Sequence, residues 1–216
     1  MDLESIRASG RTVLTEAEVK TLLREKGIAT TSFVIPTRDE LDQLDIQFPV
    51  AVKVCSPDVI HKSDVGGVYL NVHDRREMKE SFDEIKSRFP EAEVLIEPMI
   101  GKGLEVIVGV TRDPIFGQCI MFGSGGVLAN LMQDVSFRKT PIAREDAIEM
   151  IEETKARSFF RGFRGIKADL DSTIDMLLSV SSLAVELDGR LDQLDLNPVV
   201  LGESGYIAVD AKMILR

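Results

Sequence analysis

The stretch of this sequence that decides its interpretation carries a glycine pair and one of its two histidines: Ser56-Pro57-Asp58-Val59-Ile60-His61-Lys62-Ser63-Asp64-Val65-Gly66-Gly67-Val68. It joins two apolar runs, 49–54 and 68–72, that have the length and composition of strands. Paired glycines let a backbone approach a ligand closely and turn N–H groups toward an anion, and Lys53 adds a positive charge. The pattern predicts a phosphate site, with an ordinary solvated turn as the alternative.

His61 is the residue of this stretch with the widest chemistry. An imidazole can accept a phosphoryl group or move a proton near neutral pH. The alternative is a surface histidine, which is how we interpret His73 at a predicted strand end.

Apolar periodicity predicts helices and strands on both sides of this stretch. Thr15 and Glu18 have the spacing of a capping box, and Gly27 is placed to end that helix. Turn-rich links such as Thr111–Pro114 predict hairpins, so we expect a mixed α+β fold in two layers rather than a doubly wound parallel sheet. The predicted helices are 15–26, a short one carrying Leu41 and Leu44, one with the stripe Met78, Phe82, Ile85 and Phe89, then 144–156 and 171–186. The predicted strands are 30–35, 49–54, 68–72, 94–96, 106–110, 118–122, 191–200 and 206–210.

Composition excludes several classes of protein. The net charge of −10 argues against nucleic acid as a partner, because a phosphate backbone would be repelled. No apolar run approaches the ~18 residues of a membrane span, and the start Met1–Glu4 lacks the basic and apolar regions of a signal peptide, so we expect a cytoplasmic protein. Cys55 and Cys119 lie far apart without CxxC spacing, which favours small core residues over a zinc site or a disulfide.

A second glycine-rich segment, Phe122–Gly126, follows a predicted strand, with Arg138 twelve residues after it. No Gly-Lys-Ser/Thr follows, so it is not a Walker A loop, and it is not a GxGxxG fingerprint opening a helix. A different nucleotide or phosphate site stays open beside a plain glycine-rich turn.

Oxygen ligands converge near the end of the chain. Strand alternation places Asp195 and Asn197 on one face, and a hairpin through Gly202–Gly205 would bring Asp210 alongside. Mg²⁺ takes one or two protein oxygens and completes its octahedron with waters and phosphate oxygens. These residues predict a magnesium site, with solvent-facing strand residues as the alternative.

Together these segments resemble one family over residues 10–212, the separate ATP-grasp β subunit of the archaeal ADP-forming acetyl-CoA (acyl-CoA) synthetases. The stretch 56–68 is highly specific for that family, and Gly162–Gly165 and Asp195–Pro198 support the same assignment. The resemblance implies the ATP-grasp fold, in which α+β subdomains of about 1–100 and 101–216 enclose the nucleotide around a hinge near 97–103.

The resemblance also implies residue roles. Asn197 and Asp210 match magnesium ligands, Asp195 matches the acidic residue that orients a docked phosphohistidine, and His61 matches a second histidine that passes the phosphoryl group. The hinge would run past the adenine and ribose of the nucleotide. Lys53 and the Gly66–Gly67 loop would contact the phosphates of the nucleotide. The predicted nucleotide-binding set is Lys53, Lys62, Ser63, Gly66, Gly67, Glu97, Pro98, Met99, Glu105, Gly125, Gly126 and Arg138.

The implied reaction converts acyl-CoA, ADP and phosphate to acid, CoA and ATP through acyl phosphate and phosphohistidine. The implied cofactors are ATP or ADP and Mg²⁺. The implied partner is a CoA-binding α subunit that carries the main phosphohistidine, in an α2β2 heterotetramer. The acid and CoA would bind that partner, so the acyl substrate is not encoded here.

Two departures from the family pattern stand out. Asn130 occupies the position of a usual glutamate after the glycine loop, and Thr37–Phe48 is shorter than usual. Two other functions remain as alternatives: a succinyl-CoA-synthetase-like β subunit, against which the His61 segment argues, and a non-catalytic ATP-sensing module, against which the retained Lys53 and Asp210 argue.

Overall fold

The computed structural model describes residues 3–59, 61–126, 134–163 and 165–216. Asn130 therefore lies outside the described residues. The helices are α1 (Leu3–Ala8), α2 (Glu16–Glu25), α3 (Arg75–Arg88), α4 (Arg144–Glu152), α5 (Arg157–Phe160) and α6 (Leu170–Glu186), with a 3-10 turn at Arg38–Glu40. The strands are β1 (Val50–Cys55), β2 (Val68–Val72), β3 (Glu93–Pro98), β4 (Leu104–Asp113), β5 (Gly117–Ser124), β6 (Val135–Lys139), β7 (Leu191–Gly202), β8 (Gly205–Ala208) and β9 (Ala211–Leu215).

The chain forms two compact units. The small unit comprises Thr15–Ala17 and Thr31–Gly101, and the large unit comprises the described residues of Met1–Leu14, Glu18–Thr30 and Lys102–Arg216. No helix in the described part of the chain is both long and apolar enough to cross a membrane.

The small unit is an antiparallel sheet in the order β2-β1-β3, with α3 packed on one face. Val50, Val52 and Val54 alternate along β1 and bury their side chains against α3 residues such as Met78 and Ile85. Because successive strand residues point to opposite faces, Lys53 projects to the other side of the sheet.

The large unit is an antiparallel sheet in the order β6-β5-β4-β7-β8, and β9 also pairs with β7. Helices α4 and α6 pack together, and α6 lies against β4 and β5. α6 buries an apolar stripe that includes Ile174, Leu177 and Val180, and this stripe joins the core of the sheet. The mixed α+β fold with antiparallel hairpins is confirmed.

Some predicted elements were wrong or missing. The run 30–35 makes two isolated bridges, Thr30 to Ala208 and Val34 to Ile96, because its residues pair with two different sheets. The predicted short helix carrying Leu41 and Leu44 is a 3-10 turn at Arg38–Glu40, at the start of which the Thr37 N–H donates to Glu40 Oε2. Four elements were not predicted from the sequence: α1, α5, β6 and β9.

The predicted division placed residues 1–100 in one subdomain. In the structure, most of the first 30 residues belong instead to the large unit. Val13 bridges Ile214, and the Ala208 N–H donates to the Ala29 carbonyl, so most of the N-terminal segment packs with the C-terminal strands. Local periodicity does not encode such long-range pairing. The hinge near 97–103 stays a prediction.

Candidate functional site

A buried ion-pair cluster lies in the small unit around Lys53. The Lys53 side chain is only 6% exposed, and its Nζ lies 3.0 Å from Glu16 Oε1 and 2.5 Å from Glu97 Oε1. Thr31 Oγ1 donates a hydrogen bond to the other oxygen of Glu97. Buried charges require partners of this kind, because an isolated buried ion is very costly.

The sheet register explains how Lys53 meets Glu97. Lys53 pairs with Leu95 and Ala51 pairs with Glu97, so Lys53 and Glu97 are diagonal neighbours on the same face of β1 and β3. Diagonal neighbours are within reach of each other when their side chains are long. Glu97 was predicted to lie at the hinge, and in the structure its carboxylate contacts Lys53.

Lys62 joins this cluster through Glu16. Its Nζ lies 2.5 Å from Glu16 Oε2, so one carboxylate contacts both lysines. Lys53 and Lys62 were predicted from the sequence to bind the nucleotide, whereas Glu16 was not a predicted site residue. Glu16 is the first residue of α2, and an acidic residue is common at that position of a helix. The local sequence therefore did not indicate that Glu16 contacts Lys53 and Lys62.

The turn from His61 to Gly67 is closed by its own backbone hydrogen bonds. The Gly66 N–H donates to the Ser63 carbonyl and the Gly67 N–H donates to the Lys62 carbonyl. Both N–H groups bond within the turn in this structure, and the phosphate-binding role of Gly66 and Gly67 stays a prediction. The glycines are nevertheless required: Gly66 has φ +68°, and a Cβ on Gly67 would lie 2.5 Å from Val54 Cγ1. His61 and Ser63 are exposed on this turn.

The predicted hinge residues begin at the end of β3. Pro98 and Met99 are half-buried, and the Met99 N–H donates to the Pro49 carbonyl, which extends the pairing of β3 with β1 by one hydrogen bond. Their predicted contact with adenine and ribose stays a prediction.

The second glycine segment packs closely on β4 in the large unit. The Gly125 N–H donates to the Glu105 carbonyl at 2.9 Å, and a Cβ on Gly125 would lie 2.7 Å from the Glu105 carbonyl carbon. Gly126 has φ +84°, a conformation that side chains other than glycine rarely adopt. Backbone packing therefore accounts for both glycines, and the Glu105 side chain is exposed. Their nucleotide role stays a prediction.

Arg138 is bound within the large unit by acidic side chains. Its Nη2 lies 2.6 Å from Glu153 Oε1, its Nη1 lies 3.1 Å from Glu153 Oε2, and Nη2 lies 3.3 Å from Glu149 Oε2. The Arg138 guanidinium and then the Ser136 hydroxyl hold the pKa of Glu153 below its usual range. A phosphate at Arg138 would have to compete with these two carboxylates.

The predicted magnesium residues meet in the large unit where β8 gives way to β9. Asp195 pairs with Lys212 in the register of β7 and β9, and the Asn197 N–H donates to the Asp210 carbonyl at 3.2 Å. Leu194 and Leu196 are buried, so Asp195 and Asn197 share the opposite face as predicted. The hairpin beginning at Gly202–Gly205 does bring Asp210 alongside.

The Asp195 carboxyl lies in the field of one positive and one negative side chain. Burial raises the pKa of Asp195; the Lys212 charge opposes that shift, and the negative charge of Asp210 adds to it. No cluster of three or more His, Cys, Asp or Glu that could hold a metal occurs among the described residues. Carboxylate oxygens with one amide oxygen fit Mg²⁺, which needs only one or two protein ligands when phosphate oxygens and water supply the rest.

Comparison with known proteins identifies the family. A family model described as an ATP-grasp domain matches residues 5–215. The acetate–CoA ligase [ADP-forming] II subunit beta of Pyrococcus furiosus is 42% identical, over 99% of this chain and 96% of that relative. The chain belongs to the ATP-grasp β subunits of ADP-forming acetate–CoA ligases.

Other relatives of this ATP-grasp chain agree. Acetate–CoA ligase [ADP-forming] I of Archaeoglobus fulgidus is 45% identical over 99% of the chain, which spans 32% of that relative. The structure of acetyl-coenzyme A synthetase 1 from Ca. Korarchaeum cryptofilum, in complex with coenzyme A and Ca-AMPCP, superposes with a TM-score of 0.90 at 38% identity, covering 99% of this chain and 98% of that one. A second structure of that protein contains Mg-AMPPCP, with its phosphohistidine segment pointing towards the nucleotide-binding site.

These matches confirm the ATP-grasp fold and the family predicted from the sequence. They favour the acyl-CoA synthetase interpretation over the succinyl-CoA-synthetase-like and sensor alternatives. As a β subunit, the ATP-grasp chain is part of a multi-subunit ligase.

Proposed function

We propose that this chain binds Mg-ADP or Mg-ATP and exchanges a phosphoryl group with a phosphohistidine carried by a CoA-binding partner. The overall reaction is acyl-CoA, ADP and phosphate to acid, CoA and ATP. The observation that carries this proposal is the match along nearly the full length of both chains to a protein named as the β subunit of an ADP-forming acetate–CoA ligase.

The lysines of the small unit would supply positive charge to the phosphates. Lys53 and Lys62 share Glu16, so their ammonium groups are held near each other. Phosphoryl transfer depends mainly on positioning and on neutralising phosphate charge. Lys53 and Lys62 are therefore the residues of the small unit best suited to bind the nucleotide phosphates, with Ser63 on the adjoining turn.

Asn197 and Asp210 would hold the magnesium ion in the large unit. Bound there, Mg²⁺ supplies charge neutralisation and orientation to the phosphate oxygens. The Korarchaeum relative is in complex with Mg-AMPPCP, which supports a magnesium-bound nucleotide as the ligand. Asp195 lies two residues from Asn197 on the same strand face, where its carboxylate can accept a hydrogen bond from an incoming imidazole and orient it.

The partner would carry the phosphohistidine, in an α2β2 heterotetramer. The phosphohistidine segment of the Korarchaeum relative points towards the nucleotide site, which supports a histidine that moves between sites. His61 is exposed on its turn, where a phosphoryl group brought by another segment can reach it.

Nucleotide binding tests this proposal directly. Wild-type chain is expected to bind Mg-ADP in isothermal titration calorimetry, and Lys53→Ala is expected to weaken binding by about 10- to 100-fold, the value of one charge-assisted phosphate contact. Lys79→Ala is the matched control, because Lys79 pairs with Asp42 at the surface of the same unit. Thermal unfolding is recorded in parallel, since Lys53→Ala leaves two buried carboxylates with one cation fewer, at a cost of about 3–5 kcal/mol.

Absence of Mg-ADP binding by folded wild type contradicts the proposal. If the Lys53→Ala and Lys79→Ala variants bind Mg-ADP with equal affinity, only the phosphate-binding role of Lys53 is contradicted.

Asn197→Ala and Asp210→Ala are each expected to raise the magnesium concentration needed for half-maximal turnover of the assembled enzyme by about tenfold, the loss of one charged or polar ligand contact. Their melting temperatures should change little, because Asn197 is exposed and Asp210 half-exposed. Asp192→Ala, an exposed position on the same strand β7, is the control. An unchanged magnesium requirement in either variant rejects that residue as a ligand.

A further inference from the structure

Glu16 is a buried acid that contacts both of the lysines proposed to bind the nucleotide phosphates. Its side chain is 2% exposed, its Oε1 lies 3.0 Å from Lys53 Nζ, and its Oε2 lies 2.5 Å from Lys62 Nζ. Each of its carboxylate oxygens therefore contacts a different lysine. The lysines belong to separate segments, one on β1 and the other on the turn that follows it.

Two ammonium groups do not stay together without a counter-charge. They repel each other, and each sits on a four-carbon stem with many rotamers, so holding both in place costs conformational entropy. Glu97 contacts Lys53 and gives a second carboxylate to that lysine. Of the two carboxylates described here, Glu97 contacts Lys53, whereas Glu16 contacts both lysines.

We propose that Glu16 is a positioning residue that holds Lys53 and Lys62 together as one cation pair for the polyphosphate of the nucleotide. This inference rests on the proposed function, because it takes the nucleotide phosphates as the ligand. Glu16 does not touch the nucleotide in this scheme; it acts through the two lysines.

Removing the charge of Glu16 has two opposing effects on the affinity for Mg-ADP. A carboxylate beside a phosphate site also repels the phosphate, so removing its charge could strengthen binding. Positioning is the larger effect here, because Glu16→Gln keeps a single acceptor oxygen and turns an NH₂ donor toward one of the two ammonium groups. One lysine then loses its ionic contact with residue 16 and is held less firmly beside the other.

The experiment measures Mg-ADP and adenosine binding by wild type, Glu16→Gln and the control Glu18→Gln. Glu18 lies on the same helix and pairs with Arg11 at 2.6 Å. Glu16→Gln is expected to bind Mg-ADP about tenfold more weakly, the scale of one charge-assisted contact. Adenosine, which has no phosphate, should bind as in wild type, whereas a general structural defect would weaken both ligands alike.

A double-mutant cycle with Lys62→Met isolates the coupling. Lys62→Met should weaken Mg-ADP binding by about tenfold in wild type but by less than about threefold in Glu16→Gln, because the second lysine is no longer held there. If Glu16→Gln does not fold, Glu16→Asp serves in the cycle: it keeps the charge but is one carbon too short to contact both lysines, and the same loss of coupling is expected.

The outcomes separate the two proposals. A wild type that fails to bind Mg-ADP overturns the proposed function. If wild type binds, the positioning role of Glu16 is overturned by tighter Mg-ADP binding in Glu16→Gln, by equal loss of ADP and adenosine binding, or by an additive cycle.

Discussion

Replacing His61 by alanine is expected to slow phosphoryl exchange between phosphohistidine and ADP by on the order of 10²- to 10⁴-fold. The change removes a phosphoryl acceptor or proton carrier, and no charged phosphate contact is lost. The affinity for Mg-ADP should therefore stay within a few fold of wild type. Because His61 is exposed on its turn, the melting temperature should also stay close to the wild-type value.

The measurement is the exchange of labelled phosphate between ADP and ATP by the assembled enzyme, with Mg-ADP affinity measured separately. His73→Ala is the matched control, since His73 is the other histidine of the sequence and is also exposed. Wild-type exchange by His61→Ala would return His61 to an ordinary surface histidine.

The isolated chain is expected to form no ATP from acyl-CoA, ADP and phosphate at enzymatic rates, on the order of 1 to 1000 per second, until a CoA-binding α subunit is added. The Pyrococcus furiosus relative, which this chain matches over nearly its whole length, is named a subunit beta. We therefore expect the CoA chemistry and the main phosphohistidine on a partner subunit. Loss of that partner removes reacting groups, which is a larger effect than any single substitution here.

Purified chain is assayed for acyl-CoA-dependent ATP formation alone and after mixing with the candidate α subunit. Size-exclusion chromatography with light scattering then gives the stoichiometry, for which an α2β2 mass is expected. Turnover by the chain alone at rates in the enzymatic range contradicts the half-enzyme hypothesis. Activity of a complex with a different stoichiometry would contradict the α2β2 assembly but not the assignment of the α subunit as the partner.

Element positions followed from local patterns where the apolar spacing was strong. The alternating valines of β1 and the stripe of α3 are both observed, because burial of one face is decided by spacing within a single segment. The predicted strand 30–35 was wrong because its pairing depends on residues far away in the sequence. Its β-branched residues are typical of a strand. Its two bridges, however, pair with two different sheets, and the spacing of residues within one segment cannot show that.

The sequence by itself determined the family, the α+β class and which residues carry charge or glycine freedom. Only the tertiary structure decided what those residues touch. Lys53 contacts Glu16, 37 residues away in the chain, and Arg138 contacts Glu153, the residue that follows α4. Gly125 is required because the Glu105 backbone passes too close for a Cβ. Such contacts depend on how segments far apart in sequence pack together, whereas periodicity and capping signals report only on neighbours along the chain.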